Sequence, residues 1–219
     1  MVMGEREISA FLTHLATVNK VSASTQNQAL HALLFLYRIV LGQPMGAGMQ
    51  FPRAKRPQRL PVVLSPREVR EVIGQMTAVP RLCATLMYGS GLRVSECVAL
   101  RVKDVDFDRM EILVRAGKGN KDRRVPLPVT AVPELRRHLE RVRRQFHRDL
   151  AAGLRGAALP EALGRKIPGA NRDWAWQWVF PAARAYVEVA TAVRRRHHLH
   201  ETVLQRAMTS AVRSSGISK

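Results

Sequence analysis

The sequence predicts a mostly helical α+β protein that consists of a partial helical domain, a basic linker and a larger domain with one small antiparallel sheet. Three observations carry this prediction. Apolar residues recur at helical spacing over 6–19 and 30–41. The segment 44–62 is rich in Pro, Gly, Arg and Lys, which is typical of a linker. Farther along, two short segments of alternating polarity, 111–115 and 124–127, flank a glycine-containing turn and predict a β-hairpin.

The first domain is predicted over residues 1–43 as two helices. Ser24 or Thr25 is expected to cap the second helix, and Gln28 would complete a capping box with Thr25. Two short helices bury too little surface to form a robust domain by themselves. The apolar stripes of the two helices consist of Ile8, Phe11, Leu12, Leu15 and Val18, and of Leu30, Leu33, Leu34, Tyr37 and Leu41.

The second domain is predicted over residues 63–219. Its first helix is expected to start at Ser65, because Pro66 follows at the first helical position and Glu68 completes a capping box. Turns are predicted at 104–108 and 117–122. The further helices are predicted at Arg81–Tyr88, Val94–Leu100, 133–150 and 201–212.

The charge of the chain indicates the kind of partner. Lys and Arg total 36 against 17 Asp and Glu, which gives a formal net charge of +19. Only 7 of these basic residues are Lys and 29 are Arg. Because the arginine side chain presents a planar fork that matches phosphate, this bias indicates nucleic acid or another anionic surface as partner. The alternative is a basic protein whose charge only keeps it in solution.

Several classes of protein are excluded by composition. No stretch approaches 18 uninterrupted apolar residues, so no transmembrane helix is expected. The start, MVMGEREISAF, lacks the charged and then apolar regions of a signal peptide. Cys83 and Cys97 form neither a disulfide framework nor a metal-binding pair, which fits a reducing cytosol.

The segment YGSGLRVSE is the sharpest candidate for chemistry. Its glycine-bracketed turn places Arg93 at the start of a helix, where free backbone N–H groups also favour an anion. Farther along, Lys118 lies in the hairpin turn between two glycines. A fixed guanidinium can hold the non-bridging oxygens of a phosphate, and a lysine can protonate a leaving oxygen. Taken singly, each is more often a solvent-exposed charge.

Several motifs, in order, resemble one family. They are YGSGLRVSE, LRVKDVDFDR, GKGNKDRRVPLP and RRRHHLHETVLQRA, and the chain is similar in them to the tyrosine recombinases, most closely to the integron integrases. The segment at about 159–181, which is rich in Pro and Trp, resembles the insertion of that branch. The N-terminal helices resemble the back half of the family's core-binding domain. The fold expected is therefore a partial core-binding domain followed by an incomplete catalytic domain.

The resemblance implies roles for three residues. Arg93 matches the first catalytic arginine, Glu96 the acidic residue that supports it, and Lys118 the general acid toward the leaving 5′-hydroxyl. The family uses a tyrosine that forms a 3′-phosphotyrosyl intermediate, so neither a metal nor another cofactor is implied. The family acts as a tetramer on two DNA sites, the integron branch on folded single-stranded sites with protruding bases. A bacterial cytoplasmic, nucleoid-associated protein is expected.

The chain also departs from the family pattern. The family's H-x-x-R segment and nucleophilic tyrosine have no convincing match, since the one His-x-x-Arg pair, His138–Arg141, lies on a mostly charged helix. Tyr37 lies on an apolar helical stripe and is expected in the core, Tyr88 is expected to pack before the turn that presents Arg93, and Tyr186 has no predicted base beside it. We therefore expect a recombinase that binds DNA but does not cleave it by itself. The alternative is a non-catalytic DNA-binding remnant that occupies or interferes at recombination sites.

The N-terminal domain departs from the pattern as well, because the family's first helices have no match. The chain is thus expected to be truncated at both ends. Loss of those helices would leave an unusually apolar surface at Leu12, Leu33, Leu34 and Leu41.

Further DNA contacts are predicted from basic and aromatic clusters. In the linker these are Arg53, Lys55, Arg56 and Arg59, and near the hairpin turn Lys121 and Arg123. The run Arg194, Arg195, Arg196 and His197 is expected to contact phosphate at a helix start, in preference to a metal site. Trp174, Trp176 and Trp178 alternate, as on a strand edge that stacks an extrahelical base, although packing of at least two of them is equally plausible. Trp174 and Trp176 are the residues assigned to DNA.

Overall fold

A computed structural model describes residues 4–43, 52, 62–115, 117, 121–189 and 191–217 of the 219-residue chain. The chain divides into two compact units, Met1–Val62 and Val63–Lys219. The predicted fold class is confirmed, since the chain is mostly helical with small antiparallel sheets.

The first unit contains helix α1 (Glu5–Thr17) and helix α2 (Ala23–Phe35), which continues in one π-helical turn, Leu36–Val40. Helix α2 starts earlier than predicted. The hydroxyl of Ser22 accepts the backbone N–H of Thr25 at 3.2 Å, so Ser22 is the N-cap, and the expectation of Ser24 or Thr25 is wrong.

The apolar surface expected on the first unit is found only in part. Leu12 is fully buried, at 0% exposure, so its assignment to the surface is wrong. Leu12 also offers its backbone carbonyl to the buried amide of Gln26 at 3.1 Å. Leu41 is half exposed, and Phe35 and Ile39 beside it are 61% and 67% exposed. Most of the exposed apolar side chains of the first unit therefore lie at the end of the second helix, and Phe11 and Val18 are exposed as well.

Within the described residues, the second unit contains six α-helices and two small sheets. Helix α3 starts as predicted, because Ser65 and Glu68 form a reciprocal capping box. The helices are α3 (Pro66–Gln75), α4 (Ala78–Ser90), α5 (Val94–Val98), α6 (Val132–Ala151), α7 (Glu161–Lys166) and α8 (Glu201–Ser215). The strands are β1 (Val105–Asp106), β2 (Glu111–Val114), β3 (Arg123–Pro126), β4 (Tyr186–Glu188) and β5 (Val193–Arg195).

The predicted hairpin forms the middle and one edge of a three-stranded sheet. Strand β2 pairs antiparallel with both β1 and β3, and Ile112 lies opposite Val105 and Val125. Ile112 and Val114 are buried with Leu86, Leu135 and Phe180 in the main core, so the sheet packs one face on the helices. Strands β4 and β5 form a second sheet that the sequence interpretation missed.

Two remaining predictions concern membranes and cysteines. Within the part of the chain that the structure describes, no helix is both long and apolar enough to cross a membrane. Cys83 and Cys97 are buried and both are free thiols.

Candidate active site

Arg93 is positioned by the turn between α4 and α5. Helix α4 ends at Ser90, and Gly91 follows in the left-handed conformation (φ 64°, ψ 32°), where any other residue would be strained. The chain then reverses, and Arg93 becomes the N-cap of α5. Its side chain is 53% exposed. The glycine-containing motif therefore serves to present one guanidinium to solvent at a helix start.

Glu96 is the centre of an ion cluster with Arg93 and Arg123. Its side chain is only 9% exposed, and its carboxylate accepts hydrogen bonds from both terminal nitrogens of Arg123, at 2.7 Å each. It also accepts the backbone N–H and Nη1 of Arg93, both at 2.8 Å. Hydrogen bonds from Arg123, and then from the Arg93 backbone, lower the pKa of Glu96 from 4.5 to about 2. The carboxylate is thus ionised at any physiological pH and fixes both guanidinium groups.

The cluster leaves a donor surface on Arg93. Among the described residues, no hydrogen bond engages Nε or Nη2 of Arg93, whereas Nη1 is held by Glu96. Two guanidinium groups and one carboxylate leave one net positive charge. An exposed cation with unused, fixed donors is suited to bind the non-bridging oxygens of a phosphate.

The hairpin turn approaches this cluster at Gly117. A Cβ atom on Gly117 would lie 2.7 Å from Nη1 of Arg123 and 3.4 Å from Oε1 of Glu96. The N–H of Gly117 donates to the carbonyl of Lys121 at 3.1 Å, which closes the turn. Lys118 itself lies outside the described residues. Gly117, the residue before Lys118, is packed against Arg123 and against Glu96, which holds Arg93.

Of the two DNA contacts predicted near the hairpin turn, one has another role in the structure. Lys121 is exposed, as a phosphate contact requires. Arg123 is committed through both terminal nitrogens to Glu96, so its assignment as a free DNA contact is corrected to that of a residue that positions Glu96. The predicted linker contacts, Arg53, Lys55, Arg56 and Arg59, lie outside the described residues.

The basic run before α8 does not form the predicted helix-start site. Arg194 and Arg195 lie on strand β5, and the helix begins only at Glu201. Arg194 and His197 are exposed, whereas Arg195 is mostly buried beside Glu188. Arg196 is 8% exposed, and its assignment to DNA is wrong for a physical reason. Its guanidinium binds Asp149 at 2.6 and 2.8 Å and the carbonyls of Ala182 and Ala183, at 2.9 and 2.6 Å, which uses its donors inside the fold.

The tryptophans do not alternate along one strand edge. Residues Trp174–Trp176 form one turn of 3₁₀ helix, so the strand considered for them is wrong, and Trp178 forms an isolated antiparallel bridge with Arg101. Trp178 is buried, and Trp174 packs on Phe146 with ring centroids 5.6 Å apart. Trp176 is half-buried, with Nζ of Lys103 3.4 Å from its ring centroid. Trp174 and Trp176 keep part of their surface in solvent, so their assignment to DNA stays a prediction.

Sequence reasoning missed the residue that anchors this segment. The guanidinium carbon of Arg101 lies 3.8 Å from the ring centroid of Trp178, and Arg101 is 9% exposed. It donates to the backbone carbonyls of Trp176 and Ala158, both at 2.7 Å. Arg101 lies within the motif LRVKDVDFDR, but the motif does not reveal this role, because the carbonyls that Arg101 binds are 57 and 75 residues away in sequence.

A polar groove on α8 was also missed. It has a volume of about 380 Å³ and is lined by hydroxyl, amide and guanidinium side chains of Thr202, Gln205, Arg206, Thr209, Ser210 and Arg213. Such a face offers hydrogen-bond donors but no apolar pocket. The helical spacing i, i+3, i+4, i+7, i+8 and i+11 from Thr202 was the signal that could have found it.

The histidine and the tyrosines considered for catalysis have other surroundings. His138 is buried and its Nε2 lies 2.8 Å from the carbonyl of Val179, and burial lowers its pKa. Tyr88 is 58% exposed and lines an apolar groove that includes Leu64 and Met208. Tyr186 lies on β4 with its ring against His197.

Comparison with known proteins identifies the family. Residues 63–219 match the Phage integrase family, and residues 1–47 match the Phage integrase N-terminal SAM-like domain. The chain belongs to the Phage integrase family. Relatives in this family include tyrosine recombinases such as XerA of Thermococcus kodakarensis, which is 38% identical over 133 residues, 59% of this chain and 46% of its own. The resemblance to site-specific tyrosine recombinases is confirmed at that level.

Two integrase/recombinases, from Escherichia coli and from Pseudomonas aeruginosa, match over 217 residues at 46% identity. These matches include 99% of this chain and 64% of each relative, so the chain spans less than two thirds of their length.

Solved structures show the same fold. The XerH site-specific recombinase bound to a palindromic difH substrate superposes with a TM-score of 0.60 at 16% identity, over 99% of this chain and 54% of that one. A lambda integrase tetramer bound to a Holliday junction gives 0.53 at 14% identity, over 99% and 52%.

Proposed function

We propose that this integrase-family chain binds folded single-stranded recombination sites of the integron type, with Arg93 holding a phosphate, and that its 219 residues do not cleave DNA by themselves. The observation that carries the proposal is the Arg93–Glu96–Arg123 cluster. It fixes an exposed guanidinium at a helix start, whose Nε and Nη2 have no hydrogen-bond partner among the described residues. A phosphodiester is the ligand that such a fork matches.

The turn that carries Lys118 adds the second element of the proposed site. Gly117 packs against Arg123 and Glu96, the carboxylate that also holds Arg93. A lysine there can donate a proton to the leaving 5′-oxygen while Arg93 neutralises the phosphate. Glu96 is the positioning residue, since it contacts both arginines and is itself buried.

The proposed absence of cleavage rests on the environment of the residues present. A nucleophile must lie beside an activating group and the scissile phosphate. His138 is buried on the carbonyl of Val179 and is therefore unsuited to the H-x-x-R role. Tyr88 borders an apolar groove and Tyr186 lies on the small β4–β5 sheet. We assign none of the tyrosines as nucleophile, and binding is the activity that we assign to these residues.

The integron assignment rests on the segment at 159–181. Trp174 and Trp176 present partly exposed rings. Nζ of Lys103 lies 3.4 Å from the ring centroid of Trp176, and the guanidinium carbon of Arg143 lies 5.9 Å from that of Trp174. A ring flanked by cations can stack a base that protrudes from a paired stem.

Assembly as a tetramer on two DNA sites is part of the same proposal, as are a helical domain over 1–43 and a DNA-contacting linker over 44–62.

The experiment that tests the proposal compares two hairpins of equal length, one with extrahelical bases and one fully paired. We expect the full chain to bind the bulged hairpin at least about tenfold more tightly, a difference of about 1.4 kcal/mol. Arg93→Gln should weaken binding to both hairpins, because phosphate contacts carry no sequence information. Equal affinity for the two hairpins would contradict the integron assignment, and no binding of either would contradict DNA binding.

A further inference from the structure

Helix α6 carries an unbroken ridge of arginines that the proposed site does not use. Arg137, Arg141, Arg144 and Arg148 follow the spacing i, i+4, i+7 and i+11, and all four are exposed. At about 1.5 Å rise per residue the ridge is about 16 Å long. We call these four residues the α6 ridge.

The ridge is fixed in orientation by the opposite face of the helix. Leu135, Val142 and Phe146 are buried in the second unit, and the buried His138 contacts the carbonyl of Val179 at 2.8 Å. Since the apolar face is committed to the core, α6 has little freedom to rotate. The four guanidinium groups therefore project together from one side of a rigid 20-residue helix.

The ridge has no acidic partner in the described ranges. Asp149 is committed to Arg196, and no ion pair joins Glu134 or Glu140 to any of the four arginines. Like charges at i, i+3 and i, i+4 destabilise a helix by about 0.2–0.5 kcal/mol per pair. Three such neighbouring pairs occur along the ridge, so a polyanion bound there would relieve a repulsion that the fold leaves in place.

The chemistry of the ridge selects nucleic acid among polyanions. A membrane-surface helix needs a free apolar face, and the apolar face of α6 is buried. The four ridge positions include no aromatic or aliphatic side chain that would anchor a peptide or read a base. Duplex DNA carries about one charge per 1.7 Å of its axis, so a ridge of this length can contact several phosphates.

We propose that the α6 ridge is a sequence-independent binding surface for the phosphate backbone of duplex DNA, separate from the contacts of Arg93. This inference rests on the proposed function in that the partner is DNA. It differs in predicting how affinity depends on salt, because each neutralised phosphate contributes about 0.9 to the slope of log K against log salt concentration.

The test uses the full chain with all four ridge residues changed to Gln. The matched control carries Arg67→Gln, Arg70→Gln, Arg81→Gln and Arg109→Gln, which remove the same charge from exposed positions elsewhere in the second unit. Gln and Arg have similar helix propensity, so α6 should persist, as circular dichroism would show. A third variant with Lys at the four ridge positions keeps the charge and guards against a folding artefact.

Binding to a random-sequence duplex is measured over a range of KCl concentrations. We expect the ridge variant to lower the salt slope by about three units, the control by at most about one, and the lysine variant to keep the wild-type slope. Preference for the bulged hairpin over the paired one should be unchanged in the ridge variant. Equal slopes for ridge and control variants would overturn the ridge proposal while leaving wild-type hairpin binding, and so the proposed function, intact. A ridge variant that loses only binding to a polyglutamate peptide would also overturn it, in favour of an acidic protein partner.

Discussion

At the scale of single residues, the site depends on one carboxylate. Arg93 could be predicted from sequence because a glycine-containing turn before a capped helix is a local pattern. The partnership of Glu96 with Arg123 could not, since it joins residues 27 positions apart across a helix and a strand. The sequence interpretation therefore placed Arg123 on DNA, whereas the structure pairs it with Glu96.

Glu96→Gln should destabilise the protein in a pH-dependent way. The pKa of Glu96 is about 2 in the fold and 4.5 unperturbed, so ionisation stabilises the native state above pH 4.5. That contribution is lost as the pH falls from 4.5 through 2. Thermal unfolding of wild type and variant should differ at pH 7 and converge toward pH 2. A constant difference down to pH 2 would contradict the account.

Gly117→Ala should disturb the site because its Cβ would lie 2.7 Å from Nη1 of Arg123. We expect weaker DNA binding with a stability loss of about 1–2 kcal/mol, typical of a local clash. Gly74→Ala is the matched control, since it meets no atom within 4 Å and lies in α3. Urea unfolding measures the stability of both variants, and titration with a DNA hairpin measures their affinity. Equal stability and equal affinity of the two variants would contradict the prediction.

At the scale of elements, the segment between α6 and α8 is held by buried cations. Arg101 ties Ala158 and Trp176 to the region before β1, and Arg196 ties Ala182 and Ala183 to α6 through Asp149. Helices with strong local signals, such as α3 and α6, were predicted within two residues of their observed starts. The 3₁₀ turn at Trp174 and the β4–β5 sheet were missed, because they depend on the hydrogen bonds that Arg101 and Arg196 make to residues distant in sequence.

Arg196→Gln should cost about 3 kcal/mol, because it leaves Asp149 mostly buried without its partner. The comparison is Arg109→Gln, which removes an exposed pair with Asp106 and should cost less than about 1 kcal/mol. Chemical denaturation of the two variants measures the difference. Similar small costs for both would mean that the Arg196–Asp149 pair does not anchor this segment.

The three tryptophans should separate by role. Trp178→Ala should lower stability by about 3 kcal/mol, since the ring is 7% exposed under Arg101. Trp176→Ala should cost less stability and weaken binding to a bulged hairpin more than to a paired one. The affinities of Trp176→Ala for the bulged and the paired hairpin are measured by fluorescence anisotropy and compared with those of the wild type. Equal losses on both hairpins would reject base stacking by Trp176.

At the scale of the whole molecule, the net charge was accessible from sequence. The net charge of +19 predicts a strong salt dependence of DNA affinity, which composition alone implies. What composition does not reveal is which arginines remain available. Arg101, Arg123 and Arg196 are used inside the second unit, whereas Arg93 and the α6 ridge face solvent. That distinction depends on tertiary contacts with carbonyls and carboxylates distant in the chain.

The most direct test of the central claim is a nicked suicide substrate incubated with the full chain. A cleaving recombinase would lose the short DNA fragment and remain linked to DNA on a denaturing gel. We predict a non-covalent complex on a native gel that Arg93→Gln weakens by at least about tenfold, and no covalent adduct. A covalent adduct would contradict the claim that these residues bind without cleaving. A native complex that Arg93→Gln leaves unchanged would contradict the assignment of the phosphate site.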